Sequence, residues 1–374
     1  MKILIDARFL GTPTGIGRYI ENLVLEFEKQ DNDNEYIVLV GKEGRNKWEP
    51  KNPKFKKRFL SVRWYTFREQ FSLLRILKEE KPNLAHFPHW NICYFWKGPF
   101  VVTIHDLILL EFPTRRASTL GATLYWVKYK ILFPLVLRKA IYKSRKIIVP
   151  SNYVKQDITK NFPKVNQEKI KVIYEGISLI NTKPEASNPK LQFPNHPFLL
   201  YVGNVLPHKN LEFLIRVFKK LKAAGEPIYT KDLKLMLVGE SSYFYDRLKN
   251  YVKKLGLLDE VIFTGRITDE ELAAFYKNAR AYVFPSLLEG FGLPPLEAMA
   301  NGLPVIAADS SCLPEILGNA AMYFNPKNDQ ELMLKIQEIL GNNSLRNELI
   351  AKGHAQIMKY SWNETARKTL KAYY

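Results

Sequence analysis

Apolar and polar positions along the chain fall into two alternating series. In the first, runs that are apolar almost throughout, at 3–7, 36–41, 84–87, 101–105, 146–150 and 171–174, are separated by segments of helical period such as 18–29 and 69–80. In the second, runs at 198–203, 234–238, 261–264, 281–284, 304–307 and 321–324 alternate with helical segments at 211–223, 244–255, 269–277, 295–300 and 329–340. A strand that is apolar on both faces needs cover on both. Helices lying between such strands supply it, so each series predicts a doubly wound parallel α/β sheet. Between them, 181–197 carries Pro184, Pro189, Pro194 and Pro197 and no sustained apolar period, and reads as a linker. Domains are therefore expected at 1–180 and 198–360, with a further helix at 361–374. Ligands of such sheets bind beyond the carboxyl ends of the strands, so the chemistry is sought in the loops that follow strands.

Composition narrows the class. A length of 374 residues suits two domains, and 46% apolar residues suffice for two cores. Lys2, Asp6 and Arg8 interrupt the first apolar run, so no secretory signal is expected there. No run approaches the roughly 20 apolar residues that span a bilayer. Cys93 and Cys312 fall in different predicted domains, which argues against a disulfide and for a reducing, cytoplasmic setting. No Cys/His cluster has zinc spacing, and no metal is expected.

The net charge of +19 is lopsided: residues 1–176 hold 32 Lys+Arg against 17 Asp+Glu, and the remainder 24 against 20. An anionic partner for the first half follows. Residues 115–146 interleave Trp126, Tyr129, Phe133, Leu135 and Leu137 with Arg115, Arg116, Lys128, Lys130, Arg138, Lys139, Lys143, Arg145 and Lys146. That mixture suits a helix lying on an anionic membrane surface, with Pro134 kinking it and Lys54, Lys56, Lys57 and Arg58 adding to the patch. The bland alternative is a core-packed helix with a solvated basic face.

The densest chemical signal is 286–297, SLLEGFGLPPLE. Pro294 or Pro295 opens a helix and puts Glu297 in its first turn, while Glu289 stands on the preceding loop beside the amides of Gly290, Phe291, Gly292 and Leu293. Amides at a helix mouth hold an anion, and carboxylates accept bonds from hydroxyls. A nucleotide sugar presents both a diphosphate and hydroxylated rings. Taken singly, Glu297 is equally well a dipole-compensating acid and Glu289 a solvated one. Three other strand-end loops are candidates. In 11–18, Gly15 and Gly17 permit close backbone approach where a helix begins at Arg18, but Ile20 stands where the dinucleotide fingerprint needs glycine. In 203–210, Lys209 at a helix start can neutralise phosphate. In 265–267, Arg266 can stack on a base or reach a phosphate. His105 and Asp106 end a strand, and His86 and His89 follow another.

The motifs EGFGLPPLE with AMANGLPVIA, GTPTGIGRYIENL, TIHDL, IIVPSNYVKQDI, YVGNVLPHKN, FTGRITDEELAAFYKNARAYVFPS and YSWNETARKTL occur in order over most of the chain. The set resembles the retaining glycosyltransferases of family four, in their bacterial or archaeal mannosyltransferase-like subgroup. The resemblance implies the GT-B fold: two Rossmann-like domains facing across a cleft, with the C-terminal helix crossing back to the N-terminal domain. It implies a nucleotide-sugar donor, GDP- or UDP-linked, and a lipid-linked or saccharide acceptor. It implies that Glu297 takes the ribose, that Glu289 takes sugar hydroxyls, that His105 contacts the transferred sugar and that the backbone near Ile267 meets the base. The family often has Arg where Asn204 stands, and Arg18, His208 or Arg266 are the cations available to replace it.

The expected reaction is therefore transfer of a hexose with retention, in surface polysaccharide or glycolipid assembly. The departing phosphate takes the acceptor proton and Lys209 stabilises the leaving group. That scheme calls for no cofactor and no metal, and places the protein in the cytoplasm, peripheral on the inner membrane face. Two rivals stand beside it: a sugar-nucleotide epimerase of the same architecture, and a basic nucleic-acid-binding protein, for which no recognised motif is present.

Overall fold

The computed structural model describes residues 1–113, 122–178, 196–224 and 231–374. Residues 181–195 of the expected linker at 181–197, and the basic pair Arg115 and Arg116, lie outside them. The first part of the chain runs β1 (Lys2–Ala7), α1 (Gly15–Gln30), β2 (Glu35–Val40), β3 (Phe55–Phe59), α2 (Phe67–Glu80), β4 (Leu84–Phe87), β5 (Phe100–Thr103), α3 (Ile108–Glu111), α4 (Ala122–Val127), α5 (Phe133–Lys143), β6 (Lys146–Val149), α6 (Asn152–Asn161) and β7 (Ile170–Val172). The second runs β8 (Phe198–Val202), α7 (Leu211–Ala224), β9 (Lys234–Val238), α8 (Tyr243–Lys254), β10 (Val261–Gly265), α9 (Asp269–Asn278), β11 (Ala281–Phe284), α10 (Leu293–Ala300), β12 (Val305–Ala308), α11 (Leu313–Leu317), β13 (Ala321–Phe324), α12 (Asp329–Gly341), α13 (Asn343–Ile357) and α14 (Trp362–Tyr373).

Two compact units result, and α14 belongs to the first: that unit takes in Met1–Leu107, the described residues from 122 to Gly176, and Tyr360–Tyr374. The second takes in Ile177–Lys359 and the short segment from Ile108 that carries α3. That segment departs from the expected boundary at 180; within the second unit the Phe112 ring lies 5.9 Å from that of His208.

Each unit is built on one parallel sheet, of order β3-β2-β1-β4-β5-β6-β7 in the first and β10-β9-β8-β11-β12-β13 in the second. In both, strand order reverses beside the first strand: β1 pairs with β2 on one side and β4 on the other, β8 with β9 and β11. The loops after β1 and β4, and after β8 and β11, therefore flank a topological switch point, where such sheets bind ligands.

The apolar runs become strands because their residues are buried on both faces: β4, β5, β11 and β12 are buried throughout. β3, FKKRF, was not legible in the pattern. It is an edge strand with only Phe55 buried, and basic side chains there guard an exposed edge. Its charges are partly spent within the unit: the Lys57 ammonium meets Glu49, and Arg58 meets Glu79 at 2.9 Å. α13 was also missed, since its apolar positions do not repeat on one face.

α1 starts three residues before the expected 18, capped by Thr14, whose Oγ1 accepts from Gly17 N at 3.0 Å. α2 starts two before 69: Thr66 and Glu69 form a capping box. Pro134 sits inside the first turn of α5, and the chain before it, Lys128–Leu132, is a π-helical turn. The irregularity expected at Pro134 thus begins one turn earlier, in that π-helical turn.

α14 lies on α1, with Trp362, Ala366, Ala372 and Tyr373 in the same buried cluster as Tyr19, Leu23 and Phe27. A Cβ on Gly176 would stand 2.2 Å from Trp362 N, so the end of the first sheet and the start of α14 leave no room for a side chain. Trp362→Ala is expected to lower the unfolding free energy of this unit by about 3–5 kcal/mol. Urea titration followed by circular dichroism checks it; a loss below about 1 kcal/mol would make α14 a peripheral attachment.

Candidate functional site

In the second unit the loop after β8 is shaped by Tyr201, whose hydroxyl donates to Asn204 O at 2.7 Å. A single 3-10 turn, Pro207–Lys209, follows, ended by Asn210 at φ +58°, whose side-chain amide holds Pro326 O at 3.1 Å. The turn delivers Lys209 to the loop after β11. There its Nζ lies 2.5 Å from Glu289 Oε1 and 5.4 Å above the Phe284 ring. Both side chains are nearly buried, at 12% and 10% exposure. The two residues separated by 80 positions and singled out independently in the sequence thus form one ion pair at the second unit's switch point.

The Glu289 loop is held from three sides. Leu287 N donates to His208 O at 2.7 Å, Ser310 Oγ to Ser286 O at 2.7 Å, and Glu289 N to Ser311 Oγ at 3.0 Å. Ser311 adopts φ +52°, a left-handed conformation rare outside glycine and asparagine. Sequence reasoning missed Ser310 and Ser311; two serines after a strand carry no distinctive pattern.

α10 begins at Leu293, not at a proline. Gly292, at φ +96°, is the residue before it, and among the described residues no side-chain cap bond is made to its first amides. Pro294 and Pro295 fall in the first turn, where a missing N–H is harmless. Glu297 is consequently the fifth helical residue, beyond the first turn, and the dipole-compensation alternative falls away. Glu297 is 6% exposed, and its Oε2 accepts from Tyr276 OH at 3.4 Å. Gly290 and Phe291 are buried, and Leu293 is half-buried.

The replacement for the cation missing at Asn204 is not His208. Its imidazole is 4% exposed, burial and the neighbouring Lys209 charge push its pKa down to about 4, and Nδ1 has no partner among the described residues. It is neutral. Arg266 is exposed on the loop after β10, beside half-buried Ile267, and Asn204 is exposed with Oδ1 accepting from Leu206 N. Arg18 lies in the first unit, on α1.

There the two glycines of 11–18 separate. A Cβ on Gly17 would stand 2.4 Å from Thr12 O, so packing alone requires that glycine. A Cβ on Gly15 would meet nothing within 4 Å: it opens α1 at an exposed surface with room for a ligand.

His105 and His86 are built differently from one another. His86 is fully buried, with its two nitrogens 2.7 Å from Tyr373 OH and 2.9 Å from Thr103 Oγ1, and burial pushes its pKa down to about 3. It ties α14 to the sheet. His105 Nδ1 lies 2.9 Å from Glu175 Oε1 and Nε2 3.0 Å from Pro88 O. A carboxylate and a carbonyl only accept, so both nitrogens carry protons and the ring is an imidazolium. Burial opposes that charge, but the bonds and the field of Glu175, with Pro88 O, outweigh it and the pKa is raised. Such a ring cannot take a proton from a reactant. Glu175 orients it, and a lone acid before a glycine gave no signal in sequence.

Comparison with known proteins adds the family. A model described as Glycosyltransferase Family 4 matches residues 13–180, and one described as Glycosyl transferases group 1 matches 182–356. The chain is 28% identical over 278 residues to the O-antigen chain mannosyltransferase RfbU of Salmonella typhimurium, covering 74% of this chain and 70% of that one. Among solved structures, it superposes on a sucrose-phosphate synthase from Thermosynechococcus elongatus with TM-score 0.76 at 20% identity, over 100% and 98% of the chains. It superposes on Anabaena HepE in complex with UDP-glucose with TM-score 0.74 at 18% identity, over 99% of each.

The His105–Glu175 pair makes stability depend on pH. A histidine whose folded pKa is raised stabilises fully below its unfolded value, near 6.5, and the contribution is lost as pH rises through the folded value. The melting temperature of the wild type is therefore expected to fall as pH rises above about 6.5, and this component to shrink in Glu175→Gln. Melting curves from pH 5.5 to 9 check this; parallel profiles for the two proteins would contradict the imidazolium assignment.

Proposed function

The chain belongs to the family-four glycosyltransferases of GT-B fold, and on that premise we propose that it moves a hexosyl residue, mannosyl by the name its relative carries, from a nucleoside-diphosphate sugar to an acceptor hydroxyl with retention at the anomeric carbon. The observation that carries the donor site is the nearly buried Lys209–Glu289 pair beside the uncapped amides of α10. A diphosphate arriving there competes for Lys209 and adds the field of the helix mouth. Glu289, relieved of its lysine, turns its oxygens to sugar hydroxyls. Glu297 accepts from the ribose, and Arg266 is the cation at hand to replace the arginine absent at Asn204.

In the transfer, the bond from the anomeric carbon to the phosphate oxygen breaks and one to the acceptor oxygen forms on the same face. The acceptor proton goes to the departing phosphate. Lys209 and the α10 amides stabilise the charge that develops there, the largest kind of contribution a preorganised site makes. His105, cationic and with both nitrogens occupied, supplies field rather than proton transfer. The scheme requires no resident metal, since lysine and helix amides hold the phosphates. Neither the epimerase nor the nucleic-acid reading gains support from the family.

An anionic membrane surface is the partner we assign to α4 and α5. Trp126, Val127, Ile131 and Leu135 are exposed there at 38–53%, beside exposed Lys130, Arg138 and Lys143. Phe133 and Leu137 instead face the core, and Lys139 is turned inward to the carbonyls of Tyr94 and Trp96. None of the described helices is long and apolar enough to cross a membrane. The contact we assign is interfacial, and a membrane-linked glycan is the acceptor that would suit it.

One nucleoside diphosphate among GDP, UDP and ADP is expected to stabilise the protein by roughly 2.7 kcal/mol at 100 times its dissociation constant. Glu297→Gln is expected to weaken kcat/KM for the matching sugar nucleotide by about 1.5–3 kcal/mol, roughly one to two orders of magnitude, with the melting temperature of the free protein kept. No thermal shift with any of the three, or wild-type kinetics in the variant, would defeat the donor site.

A further inference from the structure

β7 is the last strand of the first sheet, and the chain leaves it just where His105 finds its carboxylate. Ile173 N still donates to Val149 O at 2.9 Å; Tyr174, Glu175 and Gly176 lie beyond the strand. α14 supplies the hold on this tail. Thr365 Oγ1 donates to Tyr174 O at 2.8 Å, on one side of Glu175. On the other side, Gly176 has no room for a Cβ against the backbone and ring of Trp362. The rings of Tyr174 and Tyr360 meet edge to face at 5.8 Å. Glu175 is thus gripped through both of its neighbours in the chain.

Thr365 is 1% exposed. A threonine inside a helix commonly returns its hydroxyl to the carbonyl four residues back. Here Ser361 O stands at 2.9 Å, and the single hydroxyl proton is shared between it and the nearer Tyr174 O. Valine has the same branched shape, so packing alone does not call for the hydroxyl. The far end of α14 reaches the same imidazole by another route. Tyr373 OH and His86 Nδ1 are 2.7 Å apart, His86 Nε2 and Thr103 Oγ1 2.9 Å, and Thr103 Oγ1 and Tyr19 OH 3.3 Å. All four residues are buried. The Tyr19 ring then stands edge-on to His105, with centroids 4.7 Å apart and planes at 82°. One end of the helix sets the carboxylate beside His105, and the other sets the ring packed against it.

We propose that Thr365 is a positioning residue for His105: through Tyr174 O it holds Glu175 where the carboxylate keeps the imidazole charged, so that α14 governs the charge the first unit brings to the transfer reaction. The effect on turnover rests on the transferase reading above; the hold on His105 does not. No other group around the ring duplicates Glu175. Asp106, on the loop of His105 itself, adds only its field, whereas Glu175 adds a bond and a field. His86 and His89, on β4 and the loop after it, are neutral, because burial pushes each pKa down to about 3. Tyr19, on α1, is neutral too, since burial raises its pKa.

The test is the titration of His105 followed by 15N NMR on the full chain, with its signal identified by its loss in His105→Gln. In Thr365→Val the midpoint is expected to fall, and in Thr365→Ser, which keeps the hydroxyl, to stay near that of the wild type. In a Glu175→Gln background Thr365→Val is expected to add no further fall, whereas a general loosening of the fold would add one. With a sugar nucleotide, kcat in Thr365→Val should drop roughly 10- to 100-fold while KM for the donor changes less than about twofold. Thr365→Ala takes the place of the valine variant if that does not fold. An unmoved midpoint, an equal fall in the Glu175→Gln background, or an undiminished kcat in an active enzyme would overturn the proposal. A wild type that turns over no sugar nucleotide, with the midpoint moving as expected, would sink the transferase reading and leave the hold of α14 on His105 standing.

Discussion

Taking a lysine and a glutamate out of water together is expensive, and their attraction repays it only when the geometry is good and the remaining lone pairs find partners. Lys209 and Glu289 meet at 2.5 Å, and several contacts of the second unit keep them there. The 3-10 turn ended by Asn210, the Ser310–Ser311 loop and the bond from Leu287 N to His208 O all position one partner or the other. Removing either side chain alone would strand a nearly buried charge, a loss of about 3–5 kcal/mol, so a simple truncation confuses stability with function. On the proposed function, a diphosphate would take the place of the carboxylate that neutralises the lysine here.

The first unit repeats the scheme in different chemistry. At its switch point the buried charges, Arg8 with Asp6 and Glu69, are spent within the protein, and aromatic rings with a neutral histidine face outward. The same sheet topology thus carries a nearly buried ion pair at the second unit's switch point and aromatic rings in front of buried salt bridges at the first's. Strand order alone predicts neither; the side chains on the loops decide.

The doubly wound character of both sheets was legible because strands buried on both faces must be apolar throughout, and all six runs of the second unit are strands. The pattern fails where burial is one-sided: β3 exposes its lysines and reads as a charged cluster. Helix starts were read late at α1 and α2 because the capping residues Thr14 and Thr66 precede the apolar period. In α10, a glycine at φ +96° did the work assigned to proline. At the candidate site, Lys209, Glu289 and Glu297 were legible from their places beside helix starts. The partners were not: Ser311 at Glu289, Tyr276 at Glu297 and, in the first unit, Glu175 at His105 are ordinary residues brought in from other elements, and only the fold supplies the meeting. His208 shows the converse. Its position near Lys209 suggested a cation, and burial beside that same lysine is what keeps it neutral.

The central claim, that Lys209 exchanges Glu289 for phosphate when a donor binds, is tested most directly by a crystal structure with a bound nucleoside-diphosphate sugar. The account predicts a phosphate oxygen within hydrogen-bond reach of Lys209 Nζ, the diphosphate at the α10 amides, Glu289 on sugar hydroxyls and Glu297 on the ribose. A donor bound elsewhere, with the Lys209–Glu289 pair intact and its surroundings unchanged, would contradict it.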